Sequence, residues 1–275
     1  MEKSSNLKLL FLILAGGGPE HLRDEQTQRL TWAKSGDQDT SIIWIKSGVT
    51  LRFEQSSRTL FVPCPEGDLI GKSVLAIDWA CKELDFDVVV RSNVSTFFVI
   101  DKLRHNLKKM KFSESSYGGH LHFLPNSSGD KSLVGFISGT GIFMGRHAAE
   151  AIRKLDRDYF AGIPDDVAIS KYLESNVDLK LHSINRLTLS NHHIFVPSSF
   201  IRCKSSWNDK LASQRMLMLY DFFCSESLLQ KMRIAFVIMI NEFRTARKGI
   251  RATLNYLNRI RVEIKELALN QKYRH

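Results

Sequence analysis

The feature that most constrains the fold is an apolar run within residues 86–98, FDVVVRSNVSTFF, which stops abruptly at small polar residues. Three consecutive valines, Val88, Val89 and Val90, are typical of a strand that is buried on both faces of a parallel sheet. Open α/β sheets bind ligands outside the carboxyl ends of their strands. The candidate binding residues are therefore those that follow the valines: Arg91, Ser92, Asn93 and Ser95. A buried strand followed by an ordinary turn is the alternative interpretation.

The sequence on either side alternates predicted strands with predicted helices. Before the valines we predict strands at 7–15, 41–46 and 59–62 and helices at 20–34 and 70–84. After them we predict a helix at 99–110, strands at 121–124 and 133–137, a small-residue loop at 138–141, and helices at 146–155 and 167–173. This alternation indicates βαβ units and a mostly parallel sheet. A signal-peptide core is the alternative for residues 7–15, which are fewer than the roughly 20 apolar residues of a membrane span.

Three further groups of polar residues are candidates for chemistry. Asp165 and Asp166 precede the last predicted helix, where carboxylates either cap the helix and meet its dipole or act as catalytic groups. The histidine pair at 192–193 lies in a β-rich segment and is either structural or a source of metal ligands. Arg202 and Lys204 follow it, and these cations either meet phosphate or remain solvated.

The positive charge of the chain is concentrated near its C-terminus. Residues 231–275 contain eleven Lys and Arg against three Glu, which accounts for +8 of the net charge of +10. The preceding residues are close to neutral, so the charge does not indicate a nucleic-acid partner for them. The four cysteines are scattered, without a CxxC pair or metal-ligand spacing, so we expect reduced thiols and a cytoplasmic protein.

Apolar residues of this basic tail follow a heptad repeat between residues 243 and 267. Such a seam predicts either coiled-coil self-association or, with its flanking basic residues, a helix that lies on an anionic membrane surface such as the inner membrane face. A helical hairpin packed back on the main domain is the third possibility. We therefore divide the chain into a domain of residues 1–225 and a basic amphipathic helical extension of residues 226–275.

Several segments together resemble glycosyltransferase family 31, which contains the β-1,3-galactosyl- and N-acetylglucosaminyltransferases and Fringe. Residues 28–32, QRLTW, resemble the Ile-Arg-x-Thr-Trp signature of that family, and residues 86–98 fall where the family has a strand followed by an Asp-Asp-Asp metal motif. Residues 117–119 and 138–141 resemble its Tyr-x-Gly and Ser-Gly-Gly-Gly stretches, and residues 164–167 resemble its acidic motif before Val. The order and spacing agree over roughly residues 7–200.

This resemblance implies a GT-A fold, which is a Rossmann-like α/β sandwich, and inverting transfer of a hexose or N-acetylhexosamine from a UDP-sugar. The family's general base is the carboxylate just before Val, so this role falls on Asp166, with Asp165 beside it. A positioned carboxylate takes the proton of the acceptor hydroxyl as the glycosidic bond forms. Arg29 and Trp32 would shape the nucleotide pocket. The resemblance places three small residues in the acceptor loop: Gly139, Thr140 and Gly141.

The sequence departs from the family at its metal motif, where Asn93-Val94-Ser95 replaces the three Asp residues. Mn²⁺ and Mg²⁺ prefer charged oxygen ligands, and an amide and a hydroxyl are poorer ones. Three interpretations stay open: a metal-independent enzyme whose phosphates meet Arg91, Arg202 or Lys204; weak metal binding through Asn93, Ser95 and His193; or an inactive relative. Residues 91–96 also resemble the Arg-Thr-Asn-x-Ser-Ser of a divergent branch of microbial and viral relatives, which favours a working variant.

The sequence therefore predicts an inverting hexosyltransferase with a nucleotide-sugar donor and a glycan or lipid-linked acceptor. A catalytically silent protein that keeps the fold and binds a glycan or a partner chain is the alternative. A nucleic-acid binder that acts through the basic tail is disfavoured, because the tail has no interleaved aromatic residues and no known binding motif.

Overall fold

The computed structural model describes residues 7–125, 133–156, 162–188, 198–204, 212–225, 227 and 230. The eleven strands of these ranges are β1 (Leu9–Leu14), β2 (Thr40–Ser47), β3 (Arg52–Glu54), β4 (Thr59–Val62), β5 (Val88–Asn93), β6 (Thr96–Phe98), β7 (Ser116–Pro125), β8 (Leu133–Gly145), β9 (Lys180–Ser183), β10 (Leu187–Thr188) and β11 (Phe200–Arg202). The six α-helices are α1 (Pro19–Leu30), α2 (Leu69–Glu83), α3 (Ile100–Lys109), α4 (Arg146–Ile152), α5 (Asp165–Asn176) and α6 (Ala212–Cys224).

Eight strands form one central sheet in the order β3-β4-β2-β1-β5-β8-β7-β9. The neighbours β4, β2, β1 and β5 run parallel, and β7 and β9 are also parallel to each other. Strand β8 runs antiparallel to both β5 and β7, and β3 runs antiparallel to β4. The predicted α/β class with a mostly parallel sheet is confirmed.

Both faces of the central sheet are covered, because every residue of β1 is buried. Successive side chains of a strand point to opposite faces. Leu10 and Leu12 accordingly pack in one core with apolar residues of α2, α4 and α5. Phe11 packs in the other core with residues of α3 and α6. This two-sided burial is why the strand appears in the sequence as a continuous apolar run.

The segment after β5 differs from the predicted polar loop. Arg91, Ser92 and Asn93 continue β5, and only Val94 and Ser95 form a turn, after which β6 pairs antiparallel with β11 in a second sheet of order β10-β11-β6. The aromatic pair Phe97 and Phe98 is therefore a short buried strand. The helix that follows, predicted at 99–110, begins at Ile100 and ends at Lys109.

The prediction of a loop at residues 138–141 is wrong, because these residues continue β8. The small residues serve close packing instead of a turn. A Cβ on Gly139 would lie 2.5 Å from Nη1 of Arg91, and a Cβ on Gly141 would lie 3.0 Å from the ring of Phe200. Small residues in a strand often mark such close approaches.

Helix α5 begins at Asp165, two residues before the predicted start at 167, so the acidic pair belongs to the helix instead of preceding it. Pro164 occupies the N-cap position and no side chain caps the first turn from there, but both aspartates lie within that turn. The carboxylate of Asp166 accepts a hydrogen bond from the backbone N–H of Val167 at 3.0 Å. Anionic side chains at this end of a helix are stabilised by its dipole.

The basic tail of residues 231–275, with its predicted heptad, lies outside the described residues. Of the predicted extension of residues 226–275, the structure describes positions 227 and 230, and the domain boundary at 225/226 stays a prediction. No helix within the described ranges combines the length and the hydropathy that a bilayer span requires.

Candidate functional site

A cleft of about 750 Å³ opens at the carboxyl ends of β1 and β5. Its walls come from the Gly16-Gly17-Gly18 loop after β1, the tip after β5, the middle of β8, the start of α5 and the end of β11. Nine of the predicted site residues line it: Arg91, Asn93, Ser95, Gly139, Thr140, Asp165, Asp166, Arg202 and Lys204. The cleft thus lies at the sheet edge where open α/β folds bind ligands.

The tip after β5 is held by hydrogen bonds from its own residues and from α1. The side-chain oxygen of Asn93 accepts hydrogen bonds from the hydroxyls of Ser95 and Thr96, both at 3.0 Å. Gln28, which is fully buried, donates its amide to the backbone carbonyls of Asn93 at 3.2 Å and Thr96 at 2.9 Å. The conformation of the tip is therefore fixed before any ligand arrives.

Arg91 is buried behind the tip, and each of its three guanidinium nitrogens donates to a protein group. Nη1 bonds the carbonyl of Gly139 at 2.6 Å, Nε bonds the hydroxyl of Ser73 at 3.3 Å, and Nη2 forms an ion pair with the carboxylate of Asp165. The bonds connect β5 to α2, β8 and α5. Arg91 was predicted to bind the donor, but its geometry is that of a cross-link between four elements.

Asp165 is buried like its partner Arg91, with 8% of its surface exposed. Burial raises the pKa of its carboxyl, and the positive charge of Arg91 opposes that increase. Because an Arg side chain keeps its proton in proteins, the ionised carboxylate is the form that neutralises it. Asp165 is thus engaged in an internal ion pair, which makes it a poor base for an external hydroxyl.

Asp166 differs from Asp165 in that it is only half-buried and faces the cleft. One carboxylate oxygen accepts the backbone N–H of Gly139 at 2.9 Å, and the other accepts that of Val167 at 3.0 Å. A carboxylate offers about four lone-pair positions, so two hydrogen bonds leave acceptor capacity for a hydroxyl. The chemistry open to Asp166 is therefore general base catalysis with a fixed carboxylate.

A second ion pair lies on the opposite wall, and the sequence analysis did not find it. The ammonium of Lys72, a residue only 1% exposed, lies 3.0 Å from a carboxylate oxygen of Glu66 and 3.3 Å from the carbonyl of Ala15. The other oxygen of Glu66 accepts the N–H of Gly17 at 3.0 Å. Burial alone would raise the pKa of Glu66, but the hydrogen bonds from Lys72 and Gly17 lower it.

The cleft also contains two cations at the end of β11, Arg202 and Lys204, both half-buried. Arg202 pairs with Thr96 across the small sheet, and the N–H of Cys203 donates to the carbonyl of Ser95 at 2.9 Å. The cations therefore lie directly beside the tip. Burial raises the pKa of nearby Asp24, while Ser213 and the charge of Lys204 are among the influences that oppose this.

Arg29 and Trp32 do not line the cleft, although both were predicted to shape a nucleotide pocket. The guanidinium of Arg29 stacks 3.6 Å from the ring centre of Trp44 and pairs with Glu25. Trp32 is buried against Phe11, with ring centroids 5.5 Å apart. The QRLTW segment nevertheless acts on the site indirectly, because Gln28 holds the tip.

The remaining predicted site residues, Ser92, Gly141 and His193, are not among the described residues that line the cleft. Ser92 is buried, and its hydroxyl donates to the carbonyl of Thr140 at 2.7 Å. Gly141 packs on Phe200, outside the cleft lining. His193 lies outside the described residues. Residues of the cleft that sequence reasoning missed include Glu20, His21, Asp24, Glu66, Lys72 and His122. The clearest available signal was the three-glycine loop, which indicates a close backbone approach.

The described side chains at the tip do not fit a divalent metal ion. The amide oxygen of Asn93 already accepts two hydrogen bonds, which uses both of its lone pairs. Ser95 contributes only a neutral hydroxyl, whereas hard cations need charged oxygen ligands. Across the described part of the chain, no three His, Cys, Asp or Glu side chains are grouped so that they could hold a metal ion.

No protein-family profile and no curated protein sequence matches this chain significantly. The similarity is to solved structures. A glycosyltransferase involved in glycosylation of the major capsid of PBCV-1 superposes with a TM-score of 0.50 at 10% identity, over 76% of this chain and 99% of that chain. The mannosyltransferase PcManGT from Pyrobaculum calidifontis, in complex with GDP-Man and Mn²⁺, gives 0.46 at 10% identity, over 98% of this chain and 83% of its own.

The glycosyltransferase GlyE of Streptococcus pneumoniae TIGR4 gives a TM-score of 0.42 at 12% identity, over 87% of this chain and 64% of that chain. At these identities the comparisons concern the fold. The capsid-modifying enzyme, matched over nearly its whole length, confirms the predicted GT-A-type glycosyltransferase fold. Membership of family 31 stays a prediction from the sequence motifs.

Proposed function

We propose that this protein transfers a hexose or N-acetylhexosamine from a nucleotide-sugar donor, UDP-linked by the family resemblance, to a hydroxyl of a glycan or glycolipid. The observation that carries the proposal is a single cleft at the sheet edge that joins the Asn93–Ser95 tip to the carboxylate of Asp166. The glycosyltransferase fold supports it, and so does the order of the sequence motifs.

In this proposal Asp166 is the general base. Its carboxylate takes the proton of the acceptor hydroxyl while that oxygen bonds to the anomeric carbon and the bond from this carbon to the diphosphate breaks. Attack from the side opposite the leaving diphosphate inverts the anomeric configuration. The N–H of Gly139 at 2.9 Å and that of Val167 at 3.0 Å hold the carboxylate in one orientation, and such positioning lowers the barrier.

Asp165 has a different role in this mechanism from the one its sequence suggests. Its ion pair with Arg91 fixes the first turn of α5, and Arg91 also bonds Gly139, which in turn donates to Asp166. Asp165 and Arg91 are therefore positioning residues. The predicted catalytic pair becomes one base with a neighbouring support.

The test is turnover of nucleotide-sugars by wild-type protein and by D166N. Loss of a general base lowers rates by about 10²–10⁴-fold, so we expect a decrease of that order with donor binding retained. Asp101→Asn is the matched control, because its side chain is 97% exposed on α3, outside the cleft lining. Equal turnover by D166N and wild type would contradict the assignment of the base.

The replacement of the metal motif by Asn93 and Ser95 supports a second candidate, a catalytically silent protein that uses the same cleft for binding. The same experiment separates the two functions. Nucleotide binding without any turnover, across a panel of donors and acceptors, would favour the silent protein. A location at the inner membrane face, or self-association through residues 243–267, stays a prediction from sequence because that segment lies outside the described residues.

A further inference from the structure

We infer that Arg202 and Lys204 neutralise the donor diphosphate in this cleft, in the place where the resembled family uses a divalent metal held by carboxylates. The inference rests on the proposed function, since it concerns the donor of that reaction. Its starting point is that the side chains at the tip do not fit the metal ion that the family resemblance implies.

The hydrogen bonds and the charge of the tip make it unsuitable for a divalent metal ion. The Asn93 oxygen is occupied by two hydroxyl donors, and the segment 93–95 carries no charge. A leaving diphosphate nevertheless needs compensation for its developing negative charge, from a metal or from cationic side chains. The charge has to come from other residues that line the same cleft.

The small sheet supplies those residues. The antiparallel pairing of β11 with β6 sets Arg202 opposite Thr96, and the next bond joins the N–H of Cys203 to the carbonyl of Ser95. Cys203 is fully buried in the core, whereas the residues on either side of it line the cleft. Strand alternation thus aims both cations into the cleft, beside the tip.

The cation-bearing segment is held firmly by α6. Arg215, which is 4% exposed, donates from Nη1 to the carbonyl of Cys203 at 2.9 Å. Ser213 of the same helix donates to the buried carboxylate of Asp24 at 2.5 Å, which connects α6 to α1. Charges placed in advance stabilise a transition state without the cost of reorganisation.

Arg91 is excluded from this role by its geometry. It is buried, and its three nitrogens are engaged by Gly139, Ser73 and Asp165. Recruiting it to phosphate would leave Asp165 as an uncompensated buried charge. Arg202 and Lys204, in contrast, are half-buried side chains that line the cleft beside the tip, where a diphosphate can reach them.

The experiment is calorimetric titration of full-length protein with UDP and with uridine, each in excess EDTA and in excess Mn²⁺. We expect UDP to bind with the same affinity in both conditions. The double variant R202Q/K204Q should lose about tenfold or more in UDP affinity per removed charge, with uridine affinity unchanged, because only UDP carries the phosphates. The variant K154Q, an exposed lysine at the end of α4 outside the cleft, is the matched control.

The charge-conserving variant R202K/K204R is the control that separates loss of charge from loss of folding. It should keep most of the UDP affinity. UDP binding that requires Mn²⁺, or that is unchanged in R202Q/K204Q, would overturn the inference and leave the proposed transferase intact. If neither UDP nor another nucleoside diphosphate binds in either condition, the proposed function itself fails, and the inference fails with it.

Discussion

The two ion pairs of the cleft are similar in composition and different in setting. Arg91 and Asp165 are both buried, with 4% and 8% of their side chains exposed, whereas Lys72 is 1% exposed and its partner Glu66 is 54% exposed. A charge left alone in the interior is costly, while a charge left at the surface is hydrated. The first pair is therefore a structural cross-link, whereas the second tolerates loss of Lys72, because Glu66 stays hydrated.

The largest effect should come from breaking the buried pair. We expect R91M or D165N to destabilise the protein by about 3–5 kcal/mol, because each leaves an uncompensated buried group. Urea unfolding measures this change. The double variant R91M/D165L should be less destabilised than either single variant, since neither charge then remains. Additive losses in the double variant would contradict the cross-link interpretation.

A smaller effect is expected from crowding the same pair. In G139A the new Cβ would lie 2.5 Å from Nη1 of Arg91 and 3.3 Å from Oδ2 of Asp166. Overpacking of this kind typically costs about 1–3 kcal/mol, and here it also displaces the proposed base. We expect lower stability together with lower turnover, measured by urea unfolding and by steady-state kinetics. G17A is the control on the other wall, where a Cβ meets nothing within 4 Å.

The pair with one exposed member should respond weakly. K72M removes a hydrogen bond to the carbonyl of Ala15 but leaves Glu66 in contact with water. We expect a loss of about 0.5–1.5 kcal/mol, the usual net value of a hydrogen bond. A loss by urea unfolding as large as that of R91M would show that the two pairs are equivalent.

The smallest effect concerns pH. The folded pKa of Glu66 lies below its ordinary value of 4.5, so the unfolded chain takes up this proton at a higher pH than the folded chain does. Stability from Glu66 is therefore complete above about pH 4.5 and is lost as pH falls through the folded pKa. Thermal melts of E66Q should depend less on pH in this window than those of wild type. An identical dependence would contradict the shift.

Much of the fold could be predicted from the sequence because its signals are local. The strand at 59–62 was predicted with the bounds that β4 has, and the helix at 70–84 differs from α2 by one residue at each end. The extent of β8 could not be predicted, because Gly139 and Gly141 leave room for Arg91 and Phe200, which lie elsewhere in the sequence.

The site was harder to predict, because it depends on contacts between residues that are distant in the sequence. Asp166 and the tip were identifiable from motifs, but the partner of Arg91 lies 74 residues further along the chain. Lys72 is part of an amphipathic helix, and only the placement of that helix's first turn beside the cleft buries it. Side-chain pairing across elements is a property of the folded chain, which residue type alone does not reveal.

The antiparallel register of β11 against β6 has a consequence for how this protein can change during evolution. Side chains alternate along a strand, so deletion of one residue just before Arg202 would exchange the inward and outward sets. Cys203 would then turn toward the cleft, and the two positive charges would be forced onto the opposite, buried face of the small sheet, which Phe97 and Ile201 occupy. Insertions or deletions should accordingly be tolerated in even steps here, whereas odd ones would bury both charges.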